Sequence, residues 1–544
     1  MLIMAGGTDP RQAMADENPP PTAAPADATA EWRPRSSPVL IAISVMLGTF
    51  MEVLDTSVAN VALPHIAGSL SATPEQATWV LTSYLISNAI VLPVTAWLAA
   101  AFGRKRLLLT CIVIFTLASA ACGAAISLEM LILARVIQGI GGGALQPIAQ
   151  AILLESFDPS RRGRAMAAYS MGVIVAPIMG PTLGGWITDS YSWRWIFYIN
   201  LPVGFLALMM TQAFIEDPPY LRRTTLRRID YWGLAFMAIW LATLQVVLDK
   251  GQQDDWLAAV WIRWVLTASA AAMVIFVVRE LTTDEPIVNL GILADRNFAI
   301  GTLLITAMGI VLYATTAMLP LFLQTLLGYP ALEAGLAISP RGLGALLAAI
   351  TAGRLIGVVD SRVIVSAGFG LLALSGIWMS RLTFDVAWAN IAFVTFLNGL
   401  ANPLIFIALS TMSFATLRRD QMGGATGIYN LMRNLGGSVG ISMATTLLAR
   451  RAQVHQNVMV AKMTPYDPAF QQRLEALRKV LTPKVGASQA GQQALGILYK
   501  TLVAQATLLA FVDNFRLITV LALCCIPLAV FLRRARTRPA PGAH

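Results

Sequence analysis

Charge is what this chain of 544 residues has least of. Asp, Glu, Lys and Arg together make up 12%, about half the ~25% usual in soluble proteins. So few charges cannot cover the surface of a soluble protein of this length, which argues against a soluble enzyme and against a disordered scaffold. Histidine is scarce: His65, His455 and His544 are the only three, so a multi-histidine metal site is not expected. Cysteine is scarce too. Cys111, Cys122, Cys524 and Cys525 all sit in apolar stretches with no CxxC pair, and they read as buried small apolar residues, not as disulfides or metal ligands. No lysine follows a glycine, so there is no Walker A loop to cradle a nucleotide. No cofactor is expected.

What the chain has is apolar sequence: 56% of residues are hydrophobic and the mean hydropathy is +0.66. From residue 38 onward, fourteen apolar segments follow one another, at about 39–63, 76–101, 105–126, 130–156, 164–187, 194–215, 231–249, 258–280, 298–323, 332–357, 363–380, 386–414, 424–449 and 511–532. A membrane-spanning helix needs about 20 such residues, and in lipid only helices and closed barrels satisfy their own backbone. The expected fold class is an all-α integral membrane protein. Residues 1–37, rich in Pro, Ala, Asp and Glu, read as a disordered tail with no signal-peptide pattern.

The net charge of +10 is placed as a topology signal, not as a nucleic-acid footprint. With the N-terminus inside, the inner segments carry 23 Lys and Arg, whereas the short outer loops carry only Arg194, Lys250 and Arg381. That asymmetry predicts fourteen spans with both termini cytoplasmic. The one long connection, 450–512, lies outside and carries eight basic residues; long loops escape the charge rule. Phe470, Leu474, Leu477 and Leu481 recur in it at helical spacing. The stretch from about Ser488 into the last span is too long for a ~30 Å core, so a helix is expected to project outward there, as a solvated cap or as a docking surface for a periplasmic partner.

Acids inside a span are costly and usually functional. Glu52 and Asp55 stand three residues apart in the first span and share a helix face. Two close carboxylates titrate as a coupled pair, as a proton-coupled site requires. The alternative is neutralisation by an intramembrane arginine, for which Arg135, Arg263, Arg341 and Arg433 are available. Arg135 is followed by Gln138-Gly139-Ile140-Gly141-Gly142-Gly143; the GxGxxA spacing from Gly139 lacks the preceding strand that a dinucleotide site needs. Gly180-Pro181-Thr182-Leu183-Gly184-Gly185 in span five suits a helix that packs tightly or bends. Gly436-Gly437-Ser438-Val439-Gly440 in span thirteen matches GxSxG but sits in an apolar helix without a strand–turn–helix context.

The halves echo one another. Span two ends in Gly103-Arg104-Lys105, span ten in Gly353-Arg354, and glycine-rich span five has its counterpart in span thirteen. Parallel six-span repeats occur in secondary transporters. The expected organisation is a bundle at 38–215, an inserted pair at 216–284, a second bundle at 285–535 containing the 450–512 loop, and a cytoplasmic tail at 536–544.

These residues together resemble the fourteen-span drug:proton antiporters of the major facilitator superfamily, of the EmrB/QacA type and nearest its EmrB branch. Leu54-Asp55-Thr56 with Asn60-Val61-Ala62-Leu63-Pro64 matches the family's first-span signature, and Arg135-x-x-Gln138-Gly139 its fourth-span motif. Gly180-Pro181-x-x-Gly184-Gly185 matches its antiporter motif. Trp193-Arg194-Trp195 through Asn200, Pro340-Arg341-Gly342 and Arg433-Asn434-Leu435-Gly436 are further hallmarks. One motif departs: Ala96 and Ala100 stand where the loop after span two usually has Gly and an acid, although Gly103, Arg104 and Lys105 remain. The cytoplasmic latch that the acid makes in the family would be absent or moved to another acid such as Asp360. The resemblance implies proton-coupled export of amphipathic organic compounds across a bacterial inner membrane, with lipid, substrates and protons as partners, no nucleic acid, and a periplasmic adaptor with an outer-membrane channel as possible further ones. Asp55 is the expected proton carrier, Glu52 its neighbour and Arg135 the tuning charge. Tyr84, Tyr169, Tyr313, Tyr429, Asn60 and Gln138 are the candidate cavity residues. An exporter of a single metabolite or siderophore is the alternative.

Overall fold

The computed structural model describes residues 36–157, 162–217, 230–283, 286–356, 358–418, 421–461 and 463–533. The expected tail at 536–544, and all but the last two residues of the one expected at 1–37, lie outside them. Fifteen principal helices follow in order: α1 Pro38–Ser69, α2 Trp79–Phe102, α3 Arg104–Ala124, α4 Leu128–Ser156, α5 Arg162–Ser190, α6 Trp195–Phe214, α7 Tyr231–Lys250, α8 Val260–Thr282, α9 Arg296–Leu326, α10 Glu333–Leu355, α11 Ser361–Met379, α12 Trp388–Ser413, α13 Met422–Val460, α14 Pro468–Val485 and α15 Ala487–Val530. Each of the fourteen apolar segments falls on one of them. Among the described residues, twelve are long and apolar enough to cross a membrane. The other two on apolar segments, α5 and α13, are the glycine-rich ones.

The helices pair in a pattern that occurs twice. α1 packs on α5, α4 and α6; α2 packs on α4; α3 packs on α4 and α6. Shifted to the second half, α9 packs on α13, α12 and α15; α10 packs on α12; α11 packs on α12 and α15. The two bundles meet along two seams, α2 against α13 and α5 against α10 and α12. α2, α5, α10 and α13 are the second and fifth helices of their repeats, and α12 is the fourth of its own. α7 and α8 pack on each other, and α7 rests on α2 and α13 beside one seam. Asp230, just ahead of α7, binds Arg279 of α8 through both carboxylate oxygens, and those hydrogen bonds hold its carboxyl below the usual range.

The glycine motifs make this pairing possible. A side chain at Gly180 would lie 2.1 Å from Ser57 Oγ, and one at Gly184 2.9 Å from Val58, so α5 touches α1 almost backbone to backbone. In the second half Gly436 and Gly440 of α13 stand in the same relation to α9, with a Cβ only 2.3 Å from the Thr306 and Ile310 carbonyl oxygens. The GxSxG match is thereby accounted for as helix packing. Gly436→Leu forces these backbones apart; overpacking of this kind costs about 1–3 kcal/mol or more. A lowered melting temperature in detergent is the expected result, and an unchanged one would contradict the close contact.

Pro181 adds a local weakness to α5. It has no N–H for the carbonyl of Pro177, and Ser57 Oγ of α1 donates to that carbonyl at 3.1 Å. The side chain of Pro181 itself lies outside the described part.

Beyond the bundles, α15 is one helix of 44 residues, about 66 Å long at 1.5 Å per residue, more than twice a ~30 Å hydrocarbon core. α13, with 39 residues, is also over-long. α14 carries half-buried Phe470, Leu474, Leu477 and Leu481 on one face and packs on α15; Asp467 caps its N-terminus by accepting from the Ala469 and Phe470 N–H groups. Asp513 of α15 pins α13 through Arg451 at 2.6 Å and His455 at 2.8 Å. The expectation for cysteine needs one correction. Cys111, Cys122 and Cys525 are buried, but Cys524 is exposed; adjacent helical positions turn by about 100° and cannot both face inward.

Candidate functional site

α1 brings both acids into the first bundle, and each has its own set of partners. Asp55 is 2% exposed. Its Oδ2 accepts from Arg135 Nη1 at 2.5 Å, while its Oδ1 accepts from Gln138 Nε2 at 2.9 Å and Asn200 Nδ2 at 2.7 Å. Arg135 also donates to the Val80 carbonyl at 3.0 Å and lies 4.3 Å over the Tyr84 ring. A buried ion pair persists only with such added hydrogen bonds. Of the four arginines offered by the sequence, Arg135 is the one that neutralises Asp55; Arg263 is exposed on α8.

Glu52, one turn earlier, accepts from Tyr84 Oη and Asn88 Nδ2, both at 3.2 Å, and from Gln146 Nε2 at 2.6 Å. Gln146 belongs to α4, and its side-chain Oε1 accepts from Arg433 of α13. Glu52–Gln146–Arg433 is therefore a polar chain across the two bundles. One turn along, Asn430 of α13 donates to Gln150 of α4 at 2.7 Å. Tyr84 stands between the acids, with its hydroxyl on Glu52 and its ring under Arg135.

The chain ends at a cavity of about 590 Å³ between the bundles, within the range of ligand-sized sites. Gln146, Phe406 and Arg433 line its inner end. Trp186 and Asp189 of α5 and Pro320 and Gln324 of α9 line its outer rim. The opposite end of the seam is closely packed: Gly423 approaches Ala96, and Gly427 approaches the Leu92 carbonyl. Of the candidate cavity residues, Tyr313 lines this space. The others do not, and the reasons differ. Tyr84 and Gln138 are fully buried in the carboxylate cages, Tyr169 stacks on Phe406 and Tyr429 packs against the same ring at a tilt, and Asn60 is exposed on α1.

The span-two motif is wired within the first bundle. Arg104 forms a buried ion pair with Glu155 at the end of α4. Asp217, just after α6, accepts from the Lys105 N–H at 2.8 Å. Gly103 sits at φ +84°, and a Cβ there would lie 2.8 Å from Asp217, so only glycine suits the turn. Asp360 caps its own helix by accepting from the Arg362 N–H at 3.1 Å. Asn434 is half-buried beside Arg433. Gln146, Asn88, Asn200 and Arg341 carry parts of the site that the sequence alone did not assign. The available signal was a polar side chain inside an apolar run, visible for Gln146 beside Pro147 and for Asn88.

Two similarly packed groups of helices, with a polar chain and a cavity at their interface, are the architecture of a membrane transporter. The chain belongs to the Major Facilitator Superfamily, whose model matches residues 45–441. It is 37% identical over 479 residues to the multidrug export protein EmrB of Escherichia coli K12, covering 88% of this chain and 92% of that one. It is 34% identical over 507 residues to the fatty acid resistance protein FarB of Neisseria gonorrhoeae, covering 93% and 97%. Among solved structures, the human organic anion transporter MFSD10 (TETRAN) shares the fold with a TM-score of 0.58 at 14% identity, over 89% of this chain and 99% of that one. This is a multi-pass membrane protein related to EmrB-type exporters.

Proposed function

We propose that the chain is a proton-coupled antiporter that exports amphipathic organic compounds across a bacterial inner membrane. In this reading α5 and α13 also cross the bilayer, giving fourteen spans with both termini cytoplasmic, and the bundles at 38–215 and 285–535 rock about the cavity with α7 and α8 as an inserted pair. The cavity then opens to the periplasm, and the packed α2–α13 end faces the cytoplasm. The observation that carries the proposal is the buried acid pair on α1, one member of which reaches the opposite bundle through Gln146 and Arg433. A proton arriving at Glu52 removes the charge that orients Gln146, so the link between bundles depends on protonation. Asp55 with Arg135 is the sealed charge that the same helix must carry through the cycle. Relatives named for multidrug export and fatty acid resistance support amphiphiles as the cargo. The projecting α13, α14 and α15 suit a periplasmic adaptor leading to an outer-membrane channel. A narrow substrate profile would instead indicate an exporter of a single metabolite or siderophore.

Proton release from everted vesicles, on adding amphiphiles of differing charge, tests this reading. Substrate-dependent release is expected. Its absence with every compound, in vesicles that contain correctly folded protein, would refute antiport.

A further inference from the structure

Among the described residues, four buried arginines lie within the bundles, and they fall into two kinds. Arg104 and Arg135 each have a carboxylate partner, Glu155 and Asp55. Arg341 and Arg433 have none among the described residues, and both line the cavity. Arg341, 8% exposed, donates to Thr316 Oγ1 at 2.9 Å, and its Nη2 has no partner. Arg433, 3% exposed, donates to Gln146 and lies 5.6 Å from the Phe406 ring centre, and its Nε has no partner. Glu52 does not serve either one directly, because Gln146 stands between it and Arg433. The one acid among the lining residues, Asp189, is exposed at the rim beside His65.

An unpaired guanidinium at membrane depth is costly and marks a ligand or pathway, and arginine presents a fork that fits planar anions. Much of the remaining wall is apolar, including Val173, Met308, Leu312 and Ile338. We propose that the cavity binds the anionic head group of an amphiphile, a carboxylate or a like oxyanion, between Arg341 and Arg433, with its apolar body along α5 and α9. The inference deepens the export reading by naming the charge of the cargo, and it rests on that reading only for the transport steps after binding.

The test uses the full chain in nanodiscs and equilibrium binding of radiolabelled dodecanoate at neutral pH, with empty nanodiscs subtracted. Methyl dodecanoate and dodecyltrimethylammonium are the matched neutral and cationic competitors. Charge-assisted hydrogen bonds set the scale: dodecanoate should bind about 10-fold or more tighter than either competitor. Arg341→Gln should abolish most of that preference while leaving methyl dodecanoate unchanged, and Arg341→Lys should restore part of it. Because the glutamine removes an unpaired buried charge, the variant should melt no lower than wild type, so lost binding cannot be ascribed to unfolding. Equal binding of all three amphiphiles, or an anion preference that survives Arg341→Gln, would overturn the proposal. Proton release separates the two readings. Release driven by cations without anion preference defeats the anion site alone, whereas anion binding with no release for any compound defeats antiport alone.

Discussion

Asp55→Asn is expected to abolish substrate-dependent proton release and to lower thermal stability at the same time. Among the described residues the carboxylate is the only acid on Arg135, and it accepts three hydrogen bonds inside a cage that solvent does not reach. Breaking one side of a buried pair leaves an uncompensated charge and typically costs about 3–5 kcal/mol. Loss of transport in this variant could therefore report either coupling or folding. A second substitution separates them. Asp55→Asn with Arg135→Gln removes both charges and should recover most of the melting temperature, since well-packed neutral replacements of buried pairs are often tolerated. If the recovered protein still binds substrate but releases no proton, Asp55 belongs to the coupling machinery. If it regains proton release, the pair is structural and coupling resides elsewhere on α1.

How much of this was legible in the sequence depended on the kind of signal. Apolar runs located the helices, because lipid leaves a run of ~20 apolar residues no other choice. The repeat was visible in the glycines of spans five and thirteen, since close helix contact tolerates little else, and the same residues bring α5 to α1 and α13 to α9. Asp55 and Arg135 were visible as charges in an apolar context. Spacing along α1 placed Glu52 and Asp55 on one face, but it could not show that Tyr84 stands between them or that their partners come from different helices. The cavity was the least legible part. An aromatic in a span carries no mark of whether it faces a cavity or a neighbour, so of four tyrosines only Tyr313 lines the space. Unpaired arginines were detectable as charges, yet their lack of a partner is a property of the assembled bundles.

Glu52→Gln should separate proton coupling from stability more cleanly than any change at Asp55. The substitution is nearly isosteric. The new carbonyl can still accept from Gln146 Nε2, the contact seen at 2.6 Å. The new NH₂ must then face Tyr84 Oη, which can accept, and Asn88, whose amide must flip to present its oxygen. One rearranged neutral hydrogen bond is worth about 1 kcal/mol, so the melting temperature should change little. No buried arginine loses a carboxylate partner, because Arg433 meets Gln146 and not Glu52. What disappears is the charge that can be switched by a proton at the inner end of the cavity. Substrate exchange between the two sides, which needs only rocking of the bundles, should persist, while accumulation driven by a proton gradient should fall to the level of passive exchange. Counterflow and gradient-driven uptake measured in the same everted vesicles read these two properties separately. If gradient-driven uptake stays at the wild-type level, the chain from Glu52 through Gln146 to Arg433 is a structural contact, and the protons move through Asp55 alone.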